Sequence, residues 1–251
     1  MSKTYAVVEV FETLQGEGRW AGRRAVFVRF AGCNMWNGIP ADRAKGAGAC
    51  ARWCDTNFVG GDKMSADELV AVCNTAWTGP RGHGSEDSPM VVVSGGEPTL
   101  QFDSALAREL NRAGWFIAIE TNGTKDSEVL RACDHVCVSP KKGSTLAVWA
   151  AHELKVVLPG GISSEPESQW TDGELATIAA RGHWGARFVQ PQDITNQAAV
   201  EDTHLHTLRV GAGTVREAQL YDHHVRVCRD FIRANPGWRL SVQQHKYLGL
   251  R

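Results

Sequence analysis

The sequence predicts an α/β protein built on a parallel sheet, and three observations predict it. Short apolar segments of strand length alternate with amphipathic segments at helical spacing. Helix-opening boxes of the form Ser/Thr-x-x-Glu recur in front of the amphipathic segments. The apolar segments also run repeatedly into loops of Gly, Pro and polar residues, which is where the working loops of such sheets gather, at the carboxyl ends of the strands.

Taken in order, Tyr5 to Phe11 and Ala25 to Phe30 read as strands. The first leads into Leu14-Gln15-Gly16-Glu17-Gly18, and the second into a Gly-, Ala- and Pro-rich stretch from Cys33 to Asn57 with neither a helical nor a strand period. Ser65-x-x-Glu68 opens a helix carrying Leu69, Val70, Cys73 and Ala76, which makes Cys73 a core residue. Met90 to Val93 is a buried-type strand ending in Ser94-Gly95-Gly96-Glu97-Pro98, and Phe102, Leu106, Leu110 and Ala113 then mark a helix closed by Gly114. Strand Trp115 to Ile119 ends in Glu120-Thr121-Asn122-Gly123-Thr124. A helix near Ser127 to Ala132 precedes strand His135 to Val138, which ends in Ser139-Pro140-Lys141. Strand Glu153 to Leu158, a boxed helix near Thr171 to Ala180, and strand Arg187 to Val189 ending in Gln190-Pro191-Gln192-Asp193 follow. The last helix spans Thr214 to Ala234, with Cys228 on its apolar stripe, and Trp238 to Arg251 reads as a strand returning to the sheet with an ordered C-terminus.

Composition narrows the class. The 251 residues suffice for one large domain with a buried core. They are 43% hydrophobic and 22% charged, with 27 basic against 28 acidic side chains and a net charge of -1. Such balance gives no electrostatic case for nucleic acid or an anionic membrane. No signal-peptide pattern opens the chain, and no run reaches the ~18 apolar residues of a membrane span, so a cytoplasmic protein is expected. Thiols stay reduced there, and clustered cysteines then point to metal or catalysis.

Three of the seven cysteines, Cys33, Cys50 and Cys54, fall on the irregular stretch with spacing Cys-x16-Cys-x3-Cys. Three thiolates suit a [4Fe-4S] cluster with one iron left open. A structural zinc site, which wants a fourth ligand, and no metal at all remain as competing readings of the spacing. Asp55 and Thr56 next to Cys54 are hard oxygen ligands for Mg2+ or, equally, local caps. Gly95-Gly96-Glu97 permits close backbone approach to a ligand, with Glu97 able to accept from an ammonium group, although such a loop is in most proteins only a turn. Arg29, in an otherwise apolar strand, must find an anion, either a structural carboxylate such as Glu17 or a substrate carboxylate. His245 could contact a ligand, although a lone histidine is more often satisfied structurally. Cys133 and Cys137, the only other close cysteine pair, straddle a helix-to-strand junction and are a weak candidate for a metal site, and His204, His206, His223 and His224 read as surface or helix residues.

In combination, the motifs resemble the radical S-adenosylmethionine enzymes, and among them the 7-carboxy-7-deazaguanine synthases of the queuosine pathway. The resemblance spans essentially the whole chain. It is carried by Leu14-Gln15-Gly16-Glu17-Gly18, Arg29-Phe30-Ala31-Gly32-Cys33-Asn34, Trp53-Cys54-Asp55-Thr56 and Gly95-Gly96-Glu97-Pro98. Glu120-Thr121-Asn122-Gly123-Thr124, Ser139-Pro140-Lys141, Glu153-Leu154-Lys155-Val156-Val157, Val189-Gln190-Pro191 and His245-Lys246-Tyr247-Leu248 extend it.

The resemblance implies a single radical S-adenosylmethionine domain over 1–251, a modified partial (β/α) barrel with an extended cluster-binding loop over 33–57, and usually a homodimer. It implies ring contraction of 6-carboxy-5,6,7,8-tetrahydropterin to 7-carboxy-7-deazaguanine with loss of ammonia, driven by a 5'-deoxyadenosyl radical and fed by an electron donor such as a flavodoxin. Implied cluster ligands are Cys33, Cys50 and Cys54, and the implied Mg2+ ligand is Thr56. Trp53, Asp55, Gly96, Glu97, Ser139, Pro140, Lys141 and Gln190 match positions that bind S-adenosylmethionine. Leu14, Gln15, Gly16, Glu17, Arg29, Ser94, His245 and Arg251 match substrate positions. Two features depart from the pattern: the cysteine gaps are sixteen and three residues where the usual motif is Cys-x3-Cys-x2-Cys, the long first gap having precedent in the family and the extra residue between Cys50 and Cys54 having none, and Ser94 stands where a threonine is common. Another small radical enzyme, such as a glycyl-radical activase, and a non-catalytic zinc-stabilised binding protein are the alternatives.

Overall fold

The structure, a computed structural model, describes residues 3–80, 88–162, 165–193, 209–210 and 213–250, with side chains described for all of these but 209–210 and 213–220. Eleven strands are seen: β1 (Tyr5–Leu14), β2 (Arg24–Phe30), β3 (Asp62–Met64), β4 (Met90–Gly95), β5 (Phe116–Thr121), β6 (His135–Val138), β7 (Ala150–Leu158), β8 (His183–Pro191), β9 (Arg209–Val210), β10 (Gly213–Thr214) and β11 (Arg239–Leu240). The α-helices are α1 (Ala66–Ala76), α2 (Ser104–Arg112), α3 (Asp172–Arg181), α4 (Val215–Ala234) and α5 (Gln244–Tyr247).

Nine strands form one sheet in the order β11-β8-β7-β6-β5-β4-β2-β1-β3, and β9 pairs with β10 apart from it. From β2 through β4 to β8 and β11 every pairing is parallel, whereas β1 runs antiparallel to both β2 and β3. The parallel strands follow one another in chain order without reversal. With right-handed crossovers, that order sends every connecting helix to the same face of the sheet. The result is a mostly parallel, unclosed sheet with β3 and β11 at its edges among the described residues.

Strand alternation then divides the side chains. Val26, Val28 and Phe30 of β2, Val91 and Val93 of β4, and Ile117 and Ile119 of β5 pack against Leu69 and Cys73 of α1 and Leu106 and Leu110 of α2. Leu154, Val156 and Leu158 of β7 and Val189 of β8 meet Leu175 and Ile178 of α3 and Cys228 and Phe231 of α4. The opposite, inner face begins apolar, with Ala25, Met90, Val92, Phe116 and Ala118 capped by Trp20. Toward the carboxyl ends it turns polar: Arg29 pairs in register with Ser94, Glu120 with Cys137, and Cys137 with Glu153. A polar floor thus sits above an apolar plug. Leu106, fully buried in α2, is expected to cost about 2–5 kcal/mol on Leu106→Ala, measured by urea unfolding; a cost under about 1 kcal/mol would contradict this packing.

Both helix boxes form, Ser65 with Glu68 and Thr171 with Glu174, each with reciprocal hydrogen bonds. The side chains of the Thr214-x-x-Glu217 box lie outside the described residues. Two expectations need correction. The segment near Ser127 to Ala132 is a 3-10 turn, Glu128–Ala132. The C-terminal segment stays in the sheet only over Arg239–Leu240, because Gln244 N then donates to Gly16 O at 3.0 Å and the chain turns into α5. His224, expected as a surface or helix residue, lies on α4 and is fully buried there, its Nδ1 3.0 Å from Gln192 O. His204 and His206 lie outside the described residues.

Candidate active site

The loops at the carboxyl ends of the strands surround a cavity of about 510 Å3 on the inner face. Three walls meet there: the Cys33 to Asn57 stretch, the strand ends of β4 to β8, and the tail around His245.

The long stretch holds two 3-10 turns, Pro40–Lys45 and Ala49–Arg52. It is tied down by Arg43, whose guanidinium donates to Ala51 O at 2.7 Å and Cys54 O at 2.9 Å. Met35, Trp36, Ala51, Trp53 and Phe58 form a small apolar core beneath it, into which Cys50 packs. Cys33, Cys50 and Cys54 all line the cavity and none is disulfide-bonded. Burial pushes the Cys50 thiol up to about 12, with Lys141 nearby acting in the other direction. Burial also raises Cys33. Thiols in this state become ligands when a metal displaces their protons. Among the described residues no three His, Cys, Asp or Glu side chains come close enough together to hold a single metal ion. Three cysteine thiolates are the donor set that suits a four-iron cluster with one iron left open, and all three of these line one cavity.

Gly96 explains how strand β4 approaches that wall. A Cβ there would lie 2.3 Å from Gly32 O and 2.6 Å from Cys33 Cβ, so only glycine fits beside the first thiol. Glu97, by contrast, is fully buried and is not part of the cavity wall. Its carboxylate accepts from Thr99 N at 3.0 Å, Thr99 Oγ1 at 2.6 Å, Thr121 Oγ1 at 2.7 Å and Asn122 N at 2.7 Å. It therefore knits the Gly-Gly-Glu-Pro loop to the end of β5. Ser94 and Gly96 line the cavity, as do Ser139, Lys141 and Gln190, whereas Pro140 is buried outside the wall. Lys141 Nζ donates to Ser139 Oγ at 2.8 Å, and Gln190 Oε1 accepts from Ser241 Oγ at 2.8 Å. Trp53 faces the cavity while its indole N–H donates to Gly160 O at 3.3 Å.

Arg29 has found a structural carboxylate, Glu9 on the neighbouring strand, with Nε 2.5 Å from Oε1. Both side chains line the cavity, as do Leu14, Gln15 and Glu17. Gly16 lies behind them, and a Cβ on it would fall 2.1 Å from His245 Nδ1. That close approach brings His245 to the cavity, where burial pushes its imidazole below the usual range. Asp55 and Thr56 also line the cavity, and Lys246 joins Asp55, at 2.5 Å, to Asp193. Arg251 lies outside the described residues.

Sequence reasoning missed Glu120, Lys155, Gln243 and Lys246 as members of this wall. Their signal was present in the motifs that contain Glu120, Lys155 and Lys246, and for the first two in strand parity: Glu120 and Lys155 alternate with Ile119, Leu154 and Val156, which face the helices. No helix among the described residues is long and apolar enough to cross a membrane.

The chain is 40% identical over 253 residues to the 7-carboxy-7-deazaguanine synthase of Burkholderia multivorans, covering 98% of this chain and 99% of that protein. It is 40% identical over 255 residues to the enzyme of the same name from Bradyrhizobium diazoefficiens, covering 99% and 100%. The crystal structure of QueE from Escherichia coli superposes with a TM-score of 0.60 over 96% of this chain and 95% of that one, at 24% identity, and so shares the fold. No family model matches the chain.

Proposed function

This chain belongs to the 7-carboxy-7-deazaguanine synthase family, and from that premise we propose that its cavity carries out the radical ring contraction of 6-carboxy-5,6,7,8-tetrahydropterin to 7-carboxy-7-deazaguanine, with loss of ammonia. The observation that supports this reading best is the sharing of one cavity by Cys33, Cys50 and Cys54 on one wall and by Glu17, Arg29 and Ser94 on another. A soft-metal site and a polar substrate floor then face the same space.

In this reading the chain works as one domain over 1–251, with 33–57 as its extended cluster-binding loop. Cys33, Cys50 and Cys54 hold a [4Fe-4S] cluster, which when loaded with S-adenosylmethionine supplies the radical. Trp53, Asp55, Gly96, Ser139, Lys141 and Gln190 border the cofactor, and Pro140 and Glu97 shape its loops from behind. Gln15, Glu17, Arg29, Ser94 and His245 orient the pterin, with Leu14, Gly16 and Arg251 completing that side. Thr56 offers its hydroxyl to Mg2+, which usually keeps several waters and takes few protein groups. The chain's own contribution is position and exclusion of water around the reacting ring. We further infer a cytoplasmic homodimer that draws its electron from a small donor protein such as a flavodoxin and has no nucleic-acid partner.

Anaerobic reconstitution tests the metal half of this reading. About four irons per chain and a charge-transfer band at about 400 nm are expected. Stoichiometric zinc with no iron would instead support a zinc-stabilised binding protein.

A further inference from the structure

Lys155 stands at the centre of the cavity floor. It projects from the inner face of β7 with its side chain 4% exposed, its Nζ 2.6 Å from Glu17 Oε2 and 2.9 Å from Glu120 Oε2. Each carboxylate has a second tether. Gln243 Nε2 donates to Glu17 Oε1 at 2.8 Å, and Gln15 Nε2 donates to Glu120 Oε1 at 3.2 Å. Four segments distant in sequence, the loop after β1, the end of β5, β7 and the C-terminal tail, thus converge on one buried ammonium. A cation buried this way is costly unless it is paired, and two carboxylates left without it would repel each other.

We propose that Lys155 is a positioning residue for substrate selectivity: by fixing Glu17 as a hydrogen-bond acceptor facing the cavity, it makes the site select the 2-amino and N3–H donor edge of an aminopyrimidinone ring. The inference rests on the reading that a carboxytetrahydropterin occupies this cavity. An ionised carboxylate accepts and cannot donate, so it matches an edge of N–H groups and rejects a carbonyl in the same place. Burial alone would raise the Glu17 carboxyl, but the Lys155 ammonium and the Gln243 amide outweigh it and hold it at about 2. Without the ammonium, burial and the adjacent Glu120 both favour a proton on one of the two carboxyls. A protonated Glu17 offers an O–H, and the site then tolerates a ring carbonyl.

The test uses the reconstituted enzyme with S-adenosylmethionine and Mg2+ but no reductant, so that binding is read without turnover. Calorimetry compares carboxytetrahydropterin with its 2-oxo analogue, 6-carboxytetrahydrolumazine. Wild type is expected to prefer the amino compound by at least ~100-fold. Lys155→Gln, which removes the charge and keeps a polar side chain, is expected to reduce the preference to below ~10-fold, and Lys155→Arg, which keeps the charge, to restore most of it. A general loss of structure would weaken both ligands together and leave their ratio unmoved. An unchanged ratio in Lys155→Gln, or a wild type that binds both compounds equally, overturns the inference. If Lys155→Gln does not fold, Glu17→Gln decides: its amide can turn an N–H toward a ring carbonyl, so the ratio is expected to fall below ~10-fold, and an unchanged ratio overturns the inference. A wild type that binds neither compound refutes the substrate assignment instead.

Discussion

Cys50→Ala is expected to abolish product formation, by at least ~1000-fold, and to lower the iron recovered on reconstitution from about four per chain to below about one. Cys50 is the middle thiol, at the end of the widened gap in the motif, and it is the most buried of the three, 7% exposed against a wall of Met35, Trp36, Trp53 and Phe58. Such a thiol holds its proton until a metal removes it, so its contribution to the cluster is all-or-none. Cys133→Ala is the matched control. Cys133 is equally buried at 7% but belongs to the core between the sheet and its helices, well away from the cavity wall. It is expected to lose about 1 kcal/mol of stability and no iron. Iron content and activity unaffected by Cys50→Ala would mean that the extra residue before Cys54 has moved the ligand set elsewhere.

Gly16→Ala is expected to lower kcat/KM by about 10- to 100-fold while leaving the melting temperature within a few degrees of wild type. The added methyl would lie 2.1 Å from His245 Nδ1 and 2.9 Å from the backbone N of His245, distances that force α5 away from the loop after β1. Gln244 N would lose Gly16 O, and Gln243 would be drawn from Glu17. Stability hardly depends on this contact, because α5 buries none of its residues. The cavity does depend on it, since Gln243, His245 and Lys246 form one of its walls. His245→Ala should reproduce most of the kinetic loss without moving the tail. Full activity in Gly16→Ala would show that the tail is dispensable to the site.

Most of the architecture was legible because the strands from β4 to β8 announce themselves twice, by an apolar run and by the polar loop that follows, whereas the short β3, β9 and β10 carry no such run. Met90 to Val93 and its Gly-Gly-Glu-Pro loop are the clearest instance, and β4 ends where the glycines begin. The antiparallel pairing of β1 was less legible, since a strand's apolar pattern says nothing of its direction. The tail was misread past Leu240 for a similar reason: the alternation of Leu240 and Val242 is too short to distinguish strand from turn, and the tertiary contact to Gly16 decides it. At the site, the motifs contain many of the wall residues, but Glu9, Thr13, Met35, Trp36 and Gln243 lie outside them, and a motif does not tell which atoms are already engaged. Glu97 has the sequence context of a ligand contact, but four hydrogen bonds engage it in holding two loops together. Arg29 was correctly expected to need an anion, and Glu9, one strand over, supplies it. Lys155 lay in a quoted motif without a task, because only the register of β5 against β6 and of β6 against β7 brings β7 to the same floor as Glu120.

The most direct measurement is product formation by the reconstituted enzyme, incubated anaerobically with 6-carboxy-5,6,7,8-tetrahydropterin, S-adenosylmethionine, Mg2+ and a reductant, and followed by mass spectrometry. The account predicts 7-carboxy-7-deazaguanine over many turnovers, with one ammonia released per product. An intact cluster that cleaves S-adenosylmethionine yet yields no carboxydeazaguanine would contradict it.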